Sequence, residues 1–398
     1  MRIVSIAART IRWPITSRGA ARGRTERAAV VIEARTDRGV IGLGEAAPLP
    51  GMSADTLGDA ERAIAAFTQR APFEVADREA ACALAASVAN LATATSLATA
   101  ANLAAASPAT ASPAARFAIE TALLDALARD RRITLAALLE PPIHRTPAIP
   151  HVKNAPSTRH ERPQAIHPRR IPLAAVVDDP EAARRAFAAG IRCLKIKLAA
   201  GDAPGRVRAI AEAVPDAKLR IDANRSWPRA EVVARLAALA PFPIDYVEEP
   251  CAEAHRLAAE PLPCQIALDE SLAELAPDEL GVALRGPALA ALVLKPTLLG
   301  GLSAVLALAE RARHAGVAAI VSHGLEGPVG TAACAELALA LGGDHPAGLA
   351  PHPALTAWSI VVEQLAADHV HPAASPGLGF PDLDLAGVDR ACRERADP

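Results

Sequence analysis

Five short apolar runs between residues 193 and 296 constrain the fold of this 398-residue chain more than any other feature. Each run carries charged side chains at or near its end, and helix-length segments rich in alanine and leucine separate the runs. Strands that alternate with helices are typical of βα units and a parallel sheet, and a (β/α) barrel keeps its chemistry at the carboxyl ends of its strands. The runs cover residues 193–197, 219–224, 246–250, 266–271 and 292–296.

Strand geometry predicts which charged side chains meet. Successive residues of a strand point to opposite faces. Lys195 and Lys197 therefore share one face of their strand, and Arg220, Asp222 and Asn224 share one face of the next.

Three carboxylates come from three consecutive strands: Asp222, Glu248 and Asp269. Lys295 follows on the next strand. Carboxylate oxygens are the ligands that hard divalent cations prefer. The pattern therefore predicts a divalent-metal site flanked by lysines, with Mg²⁺ as the expected ion.

Composition excludes several classes of partner. A net charge of −2 provides no electrostatic basis for binding nucleic acid or an anionic membrane, and no apolar run is long enough to span a bilayer. The six cysteines form no CxxC pair, so we interpret them as free, mostly buried thiols in a reducing cytoplasm. The basic N-terminus up to Arg24 resembles a transit peptide superficially, but residues 2–7 fit a first strand better.

The first 140 residues predict a small α+β domain. Residues 1–50 read as a β-meander with a mobile Gly/Arg-rich loop at 16–23. Ser53 is placed to cap a helix that runs to about Arg70. Residues 113–128 have apolar side chains at helical spacing.

Residues 141–170 read as a linker or insertion. Seven prolines forbid regular structure there, and four widely spaced histidines in such a segment do not predict a metal site. The barrel is then expected over 171–374, from a first strand at 171–177 to a short eighth at 347–350, with Asp179 capping the first helix. The tail, 375–398, is expected to return to the first domain.

Two glycine groups remain, at residues 300–301 and 324–330. Neither has the position or the companions of a nucleotide-binding motif. Both could present backbone N–H groups to an anionic substrate at a helix start.

Taken together, the motifs resemble those of the enolase superfamily. In order they are Lys-Ile-Lys at 195–197, Asp-Ala-Asn-Arg-Ser-Trp at 222–227, Glu-Glu-Pro-Cys at 248–251, Asp-Glu-Ser-Leu at 269–272 and Leu-Lys-Pro-Thr-Leu-Leu-Gly at 294–300. The segments 44–53 and 325–330 extend the likeness, which covers nearly the whole chain outside 80–112 and 141–170. Within the superfamily, the set is most similar to the o-succinylbenzoate synthases of menaquinone biosynthesis. The resemblance implies an α/β fold in which an α+β capping domain covers a modified TIM barrel, (β/α)₇β.

The resemblance also implies roles for individual residues. The three carboxylates would bind Mg²⁺, with Mn²⁺ as a possible substitute, and Lys197 would be the acid/base. Lys195 would be its neighbour, and Lys295 would face the substrate from the opposite side. Residues that would support the ligands from behind, or close over the substrate from the capping domain, are Asn224, Glu249, Glu270, Met52 and Ser53.

The implied reaction is the syn dehydration of 2-succinyl-6-hydroxy-2,4-cyclohexadiene-1-carboxylate to o-succinylbenzoate. Lys197 would remove the proton α to the carboxylate, an enediolate would form, and Lys197 would return the proton to the departing hydroxyl group. A lysine base must be neutral, whereas its reference pKa is about 10.4. Burial and neighbouring positive charges lower that pKa.

The end of strand seven departs from the family pattern. Ser322 is followed by His323, near where the family commonly has a small hydroxyl residue, and Pro328 replaces a commoner serine. We expect Ser322, His323 and Gly324 to lie near the substrate. Two other interpretations stay open: His323 as a turn cap, and Arg220 as half of a structural ion pair.

Alternative activities remain. Lys197 and Lys295 could supply a base on each face of a substrate, as N-acylamino-acid racemases or dipeptide epimerases require. Dipeptide epimerases usually carry an Asp-x-Asp near strand eight, whereas residues 347–352 contain no acid. A non-catalytic metal-binding barrel is a remote third alternative. The expected partner is a small-molecule carboxylate, and the oligomeric state stays open.

Overall fold

The computed structural model describes residues 1–15, 25–90, 112–140, 169–199, 201, 204–352, 355 and 357–393. The mobile loop expected at 16–23, nearly all of the linker expected at 141–170, and most of the uncharged stretch at 80–112 lie outside these residues.

The N-terminal part of the chain folds as an antiparallel sheet with helices on it, as expected. The sheet has the order β3-β2-β1-β4, and long β1 and β2 pair from Ile3↔Thr36 to Pro14↔Glu26. The elements are β1 (Arg2–Pro14), β2 (Glu26–Thr36), β3 (Ile41–Ala46), α1 (Leu57–Thr68), β4 (Phe73–Glu74), α2 (Arg78–Ala86), α3 (Pro113–Asp130) and α4 (Leu135–Leu139).

Helix α3 is the core of this part of the molecule. It is buried on nearly every side from Ala114 to Ala128, rather than along one stripe as its sequence pattern suggests. It packs directly on β3, because Gly42 and Gly44 have no side chain to hold it away. A Cβ atom at either glycine would overlap backbone atoms of α3.

The C-terminal part is a parallel barrel, which confirms the predicted fold class. Seven strands lie in the order β6 to β12, and all adjacent pairs are parallel. The strands and helices are β5 (Ile171–Pro172), β6 (Ala174–Val176), α5 (Pro180–Ala188), β7 (Cys193–Lys197), α6 (Gly205–Ala213), β8 (Lys218–Asp222), α7 (Val232–Leu239), β9 (Ile244–Glu248), β10 (Ile266–Leu268), α8 (Pro277–Leu284), β11 (Leu289–Leu294), α9 (Pro296–Leu299), α10 (Leu302–His314), β12 (Ala318–Val321), α11 (Pro328–Leu341), β13 (His369–Val370) and α12 (Leu385–Arg393).

The barrel closes through two residues. Ala347 bridges Leu173 and Gly348 bridges Ser322, both in parallel, so the eighth strand expected at 347–350 is reduced to this pair. The first strand expected at 171–177 is divided: β6 belongs to the barrel, whereas β5 pairs antiparallel with β13.

Of the two N-caps predicted from the sequence, one is correct and one is wrong. Asp179 caps α5, accepting a hydrogen bond from Ala182 N–H at 2.7 Å. Ser53 does not cap α1; its Oγ accepts from the N–H of Leu49 instead. Thr56 is the cap, because Asp59 three residues later completes a reciprocal capping box with it.

The C-terminal segment lies against the N-terminal sheet. Leu378 N–H donates to buried Asp125 of α3 at 2.8 Å, and Arg9 of β1 forms a 2.7 Å ion pair with Asp389 of α12. Within the described ranges, no helix combines the length and apolarity needed to cross a membrane.

Candidate active site

The parallel strands bring the predicted polar side chains to one end of the barrel. Lys197, Asp222 and Glu248 are direct partners across β7, β8 and β9, so their side chains stand side by side. Asp269 follows the last residue of β10, and Lys295 follows the last residue of β11. The parallel direction of the strands therefore gathers these side chains at the carboxyl end of the barrel.

Two lysines lie among the three carboxylates. The ammonium group of Lys195 bridges Asp222 at 2.9 Å and Glu248 at 2.7 Å. Lys295 forms an ion pair with Asp269. All three carboxylates are at least 96% buried, so these charges interact where water screens them poorly.

Burial and mutual repulsion raise the pKa values of two of the carboxyl groups. The pKa of Glu248 rises to about 8, because burial and the negative charges of Asp222 and Asp269 outweigh the opposing effect of Lys195. Burial also raises the pKa of Asp269, against the effect of Lys295. For Asp222 burial acts in the same direction, but Lys195 and Lys197 prevail and lower its pKa. Burial and the neighbouring carboxylates therefore disfavour the ionised form of Glu248, which a nearby cation would favour.

Lys197 differs from the other two lysines. It is half-buried, and its ammonium group has no hydrogen bond or ion pair with the described residues. Burial lowers its pKa, with Lys195 and Lys295 acting in the same direction and Asp222 opposing. For Lys195 and Lys295, burial is outweighed by the adjacent carboxylates, and the pKa values are raised. Lys197 is therefore the most readily deprotonated of the three.

Residues behind the carboxylates hold the strand exits in place. Glu249 accepts three hydrogen bonds from the turn after β10: from Asp269 N–H at 2.9 Å, Ser271 N–H at 2.8 Å and the Ser271 hydroxyl at 2.9 Å. It accepts a fourth from Nε of Arg225 at 3.2 Å. Asn224 donates its side-chain amide to Glu270 at 3.2 Å and its backbone N–H to Asp222 at 3.1 Å. Glu249 and Asn224 have φ of 42° and 43°, a left-handed conformation that costs energy and clusters at functional sites.

Arg220 lies opposite Lys195 in the pairing of β7 with β8, two residues before Asp222. Its Nε donates to Asp245 at 2.9 Å, its Nη1 donates to the Pro346 carbonyl at 2.7 Å, and its guanidinium stacks over Tyr246. It contributes to the wall of the cavity, but the ion pair with Asp245 accounts for its charge.

A cavity of about 800 Å³ opens above the cluster. Of the predicted residues, Ser53, Glu249, Asp269 and Glu270 do not line it, since they lie behind or beside it. The predicted residues that do line it are Met52, Lys195, Lys197, Arg220, Asp222, Asn224, Glu248, Lys295, Ser322, His323 and Gly324.

The glycine-rich turn after strand seven was expected to present its N–H groups to the cavity, but three of them are bound internally. Gly324 N–H donates to Glu326 at 2.7 Å, while Gly327 and Gly330 donate to buried Glu45 of β3 at 2.5 and 2.8 Å. An internal carboxylate therefore occupies the start of α11, where an anionic substrate was expected.

Two contributors were missed from the sequence. His352 lines the cavity and stacks on His323 at a ring-centroid distance of 4.1 Å. Arg27 of β2 donates to carbonyls of both the 47–48 loop and the 324–325 turn. His352 follows the eighth strand by only four residues, and that position was a usable signal. Arg27 joins segments that are distant in the sequence, so no local sequence pattern indicated its role.

Two family models match the chain. The model described as the enolase C-terminal domain-like family matches residues 178–382. The model described as the mandelate racemase/muconate lactonizing enzyme N-terminal domain matches residues 3–140.

Curated relatives match part of the chain. An o-succinylbenzoate synthase from Mycobacterium bovis is 38% identical over 209 residues, which is 49% of this chain and 62% of the relative. One from Pectobacterium atrosepticum is 38% identical over 148 residues, 36% of this chain and 45% of the relative. The matched region thus spans less than two thirds of the length of these proteins.

Solved structures share the fold over nearly the full length. A dipeptide epimerase from Methylococcus capsulatus, complexed with Mg and the dipeptide L-Arg-D-Lys, superposes with a TM-score of 0.73 at 24% identity, covering 95% of this chain and 99% of that one. Muconate lactonizing enzyme from Pseudomonas putida gives a TM-score of 0.70 at 20% identity, with 98% and 99% coverage.

Proposed function

The chain belongs to the enolase superfamily, and from this premise we propose that it is a lyase that dehydrates 2-succinyl-6-hydroxy-2,4-cyclohexadiene-1-carboxylate to o-succinylbenzoate. The likeness to o-succinylbenzoate synthases supports the choice of substrate. A cytoplasmic location is part of the proposal, in keeping with six cysteines that are all free thiols.

One observation carries the chemistry: Lys197 faces the cavity with no ionic partner among the described residues, while the two lysines near it are paired with carboxylates. Proton abstraction next to a carboxylate requires a neutral amine. The surroundings of Lys197 favour that form, and those of Lys195 and Lys295 do not.

The donor set fits a divalent metal by its chemistry. Asp222, Glu248 and Asp269 supply hard oxygen ligands in a buried cluster, and a cation there would relieve the repulsion that Asp222 and Asp269 exert on Glu248. Within the described ranges no three such side chains already form a ready metal site. The ammonium group of Lys195 lies between Asp222 and Glu248, and Asp269 is paired with Lys295. We propose Mg²⁺, which would bind the substrate carboxylate there and stabilise the negative charge that develops on it.

The three lysines have different roles in the proposed reaction. Lys197 takes the α-proton and later delivers it to the departing hydroxyl group, so one amine serves both steps on one face. Lys295 stays cationic beside the developing charge and stabilises it electrostatically. Lys195 keeps a positive charge near Lys197 and so favours the neutral amine.

N-acylamino-acid racemisation is the second candidate, because Lys197 and Lys295 both line the cavity. A two-base mechanism requires each lysine to act as a base in turn. The ion pair of Lys295 with Asp269 disfavours its neutral form, so the geometry supports the dehydration better. Dipeptide epimerisation is less favoured still, since residues 347–352 provide no carboxylate for a peptide amine.

A direct comparison of substrates tests the proposal. With Mg²⁺ present, we expect the protein to convert the cyclohexadiene carboxylate to its aromatic product. Ultraviolet absorbance measures this conversion. Incubation of an N-succinylamino acid in D₂O, followed by NMR, reports racemisation as deuterium incorporation at the α-carbon. Deuterium wash-in without dehydration would establish the second candidate and refute the first.

A further inference from the structure

The exit of strand seven, residues 322–325, forms the wall of the cavity that carries His323. The polar hydrogens of Ser322 are already used: its N–H donates to Leu294 O at 2.9 Å and its hydroxyl donates to Gly348 O at 3.2 Å. The backbone N–H of His323 also points to Gly348 O, at 3.4 Å. These bonds close the barrel and leave none of these groups for a ligand.

Of the remaining polar hydrogens at this strand exit, one is not used in a hydrogen bond to the described residues. Gly324 N–H donates to Glu326, and Leu325 N–H donates to Nδ1 of His323 at 3.2 Å. Because Nδ1 accepts, the proton of the neutral ring is on Nε2. Nε2–H has no acceptor among the residues that the structure describes, and His323 lines the cavity.

The imidazole is held in a fixed orientation. Leu325 has a φ of 63°, a strained conformation for a leucine. Arg27, which is 3% exposed, donates to the carbonyls of Leu325 at 3.1 Å and Gly324 at 3.2 Å, and so holds the turn. His352 stacks on the other side of the His323 ring. Preorganised donors of this kind bind a ligand with little further loss of entropy.

The local charge selects the ligand. Burial, His352 and Lys295 keep the pKa of His323 well below its ordinary value, so the ring is a neutral donor. Burial likewise lowers the pKa of His352 to about 3. Lys195 and Lys295, the two lysines that stay protonated, contribute positive potential at this wall. An ammonium group is repelled there, whereas a carboxylate is attracted.

We infer that His323 is a specificity-determining residue that donates from Nε2 to the second carboxylate of the substrate, the one at the end of the succinyl chain. The inference rests on the proposed function, which assigns the ring carboxylate to the cluster of Asp222, Glu248 and Asp269. The chain carboxylate then needs a separate donor across the cavity.

Arg206 is the competing donor. It lines the cavity from the side of β7 and donates to the Lys197 carbonyl. A carboxylate that reached Arg206 would lie near barrel strands one and two, whereas His323 stands at strand seven. Substitutions at the two sites therefore separate the two placements.

Binding of two matched ligands tests the inference. The probes are o-succinylbenzoate and 2-butanoylbenzoate, in which a methyl group replaces the chain carboxylate; affinities are measured by calorimetry on the full chain with Mg²⁺. We expect His323→Leu to weaken o-succinylbenzoate by about 10- to 100-fold, the range for a hydrogen bond to a charged group. Its affinity for 2-butanoylbenzoate should stay within about 2-fold, and His323→Gln, which keeps an N–H donor, should recover most of the loss. Circular dichroism verifies that each variant is folded.

Other outcomes overturn the inference. Equal loss for both ligands would place the contact on the shared ketone or ring, and a selective loss in Arg206→Gln in place of His323→Leu would move the carboxylate to the opposite wall. If the wild-type protein bound neither ligand, the proposed function itself would fail. If the wild-type protein and His323→Leu bound o-succinylbenzoate equally, only the role of His323 would fail.

Discussion

Three lysines share one cavity and differ in what surrounds them. Lys195 and Lys295 are ion-paired with buried carboxylates, whereas Lys197 has no ion pair with the residues that the structure describes. Strand alternation predicted that Lys195 and Lys197 would share a face. It could not predict that only Lys197 lacks an ion-pair partner within the described chain, because this depends on the lengths and angles of side chains from three strands.

The pH dependence of the reaction should report this difference. Only the neutral amine of Lys197 can accept the α-proton, so kcat/KM should rise with pH as Lys197 loses its proton. Because burial lowers its pKa, the midpoint of that rise should lie below 10.5, the ordinary value for lysine. A pH–rate profile measures the midpoint, and one at or above 10.5 would contradict the described environment.

Glu249 provides a second prediction at the residue scale. It fixes the exit turn that carries Asp269 through three accepted hydrogen bonds. Glu249→Ala should weaken activation by Mg²⁺ by about 10- to 100-fold, the usual cost of losing a group that orients a metal ligand. The control is Glu274→Gln, which alters an exposed carboxylate bound to the same Arg225. Equal Mg²⁺ dependence in the two variants would show that Glu249 does not position Asp269.

At the scale of the elements, β3 and α3 pack so closely that no side chain fits between them at Gly42 and Gly44. Gly44→Ala should destabilise the protein by about 1–3 kcal/mol, the range for overpacking, because the added Cβ overlaps the Ala118 carbonyl. Gly205→Ala is the control, since a Cβ there meets nothing within 4 Å. Urea denaturation measures both. Equal stability of the two variants would mean that α3 can move away from β3 at no cost.

The elements were predictable where the signal is local. The runs that became β7 to β11 were located to within a few residues because apolar strands and polar ends have a clear pattern. The cap of α1 was misplaced although Thr56 and Asp59 form a capping box, which Ser53 lacks. The eighth strand was overestimated, because its pairing depends on both edges of a barrel that the sequence does not show.

At the scale of the whole molecule, the segment 324–330 joins the two halves. Arg27 from the N-terminal sheet binds its first carbonyls, and Glu45 from the same sheet binds its last N–H groups. No local pattern reveals such a junction, since it pairs residues about 300 positions apart. The missed role of Arg27 has the same cause.

The burial of Glu45 at this junction should make the free energy of unfolding depend on pH. Burial raises the pKa of Glu45 from 4.5 to about 7. Between these values the folded protein holds a proton that the unfolded chain has released, so this contribution to stability is full below pH 4.5 and is lost as the pH rises through 7. It amounts to at most roughly 3 kcal/mol.

Glu45→Gln should remove this pH dependence, while Glu74→Gln, at an exposed position, should retain it. Urea denaturation at several pH values between 5 and 8 measures the slope for each variant. A wild-type slope unchanged by Glu45→Gln would assign the pH dependence to other groups.

The role of Lys197 as the base is tested most directly by the initial rate of aromatic product formation from the cyclohexadiene carboxylate. Wild type, Lys197→Ala and Lys218→Ala are compared with Mg²⁺ and with a chelator; Lys218 is an exposed lysine at the far end of β8. We predict turnover by wild type and Lys218→Ala that chelation abolishes and added Mg²⁺ restores, and a loss of at least about 10²- to 10⁴-fold in Lys197→Ala. Product formation by Lys197→Ala at the wild-type rate, or undiminished turnover in the chelator, would contradict the account.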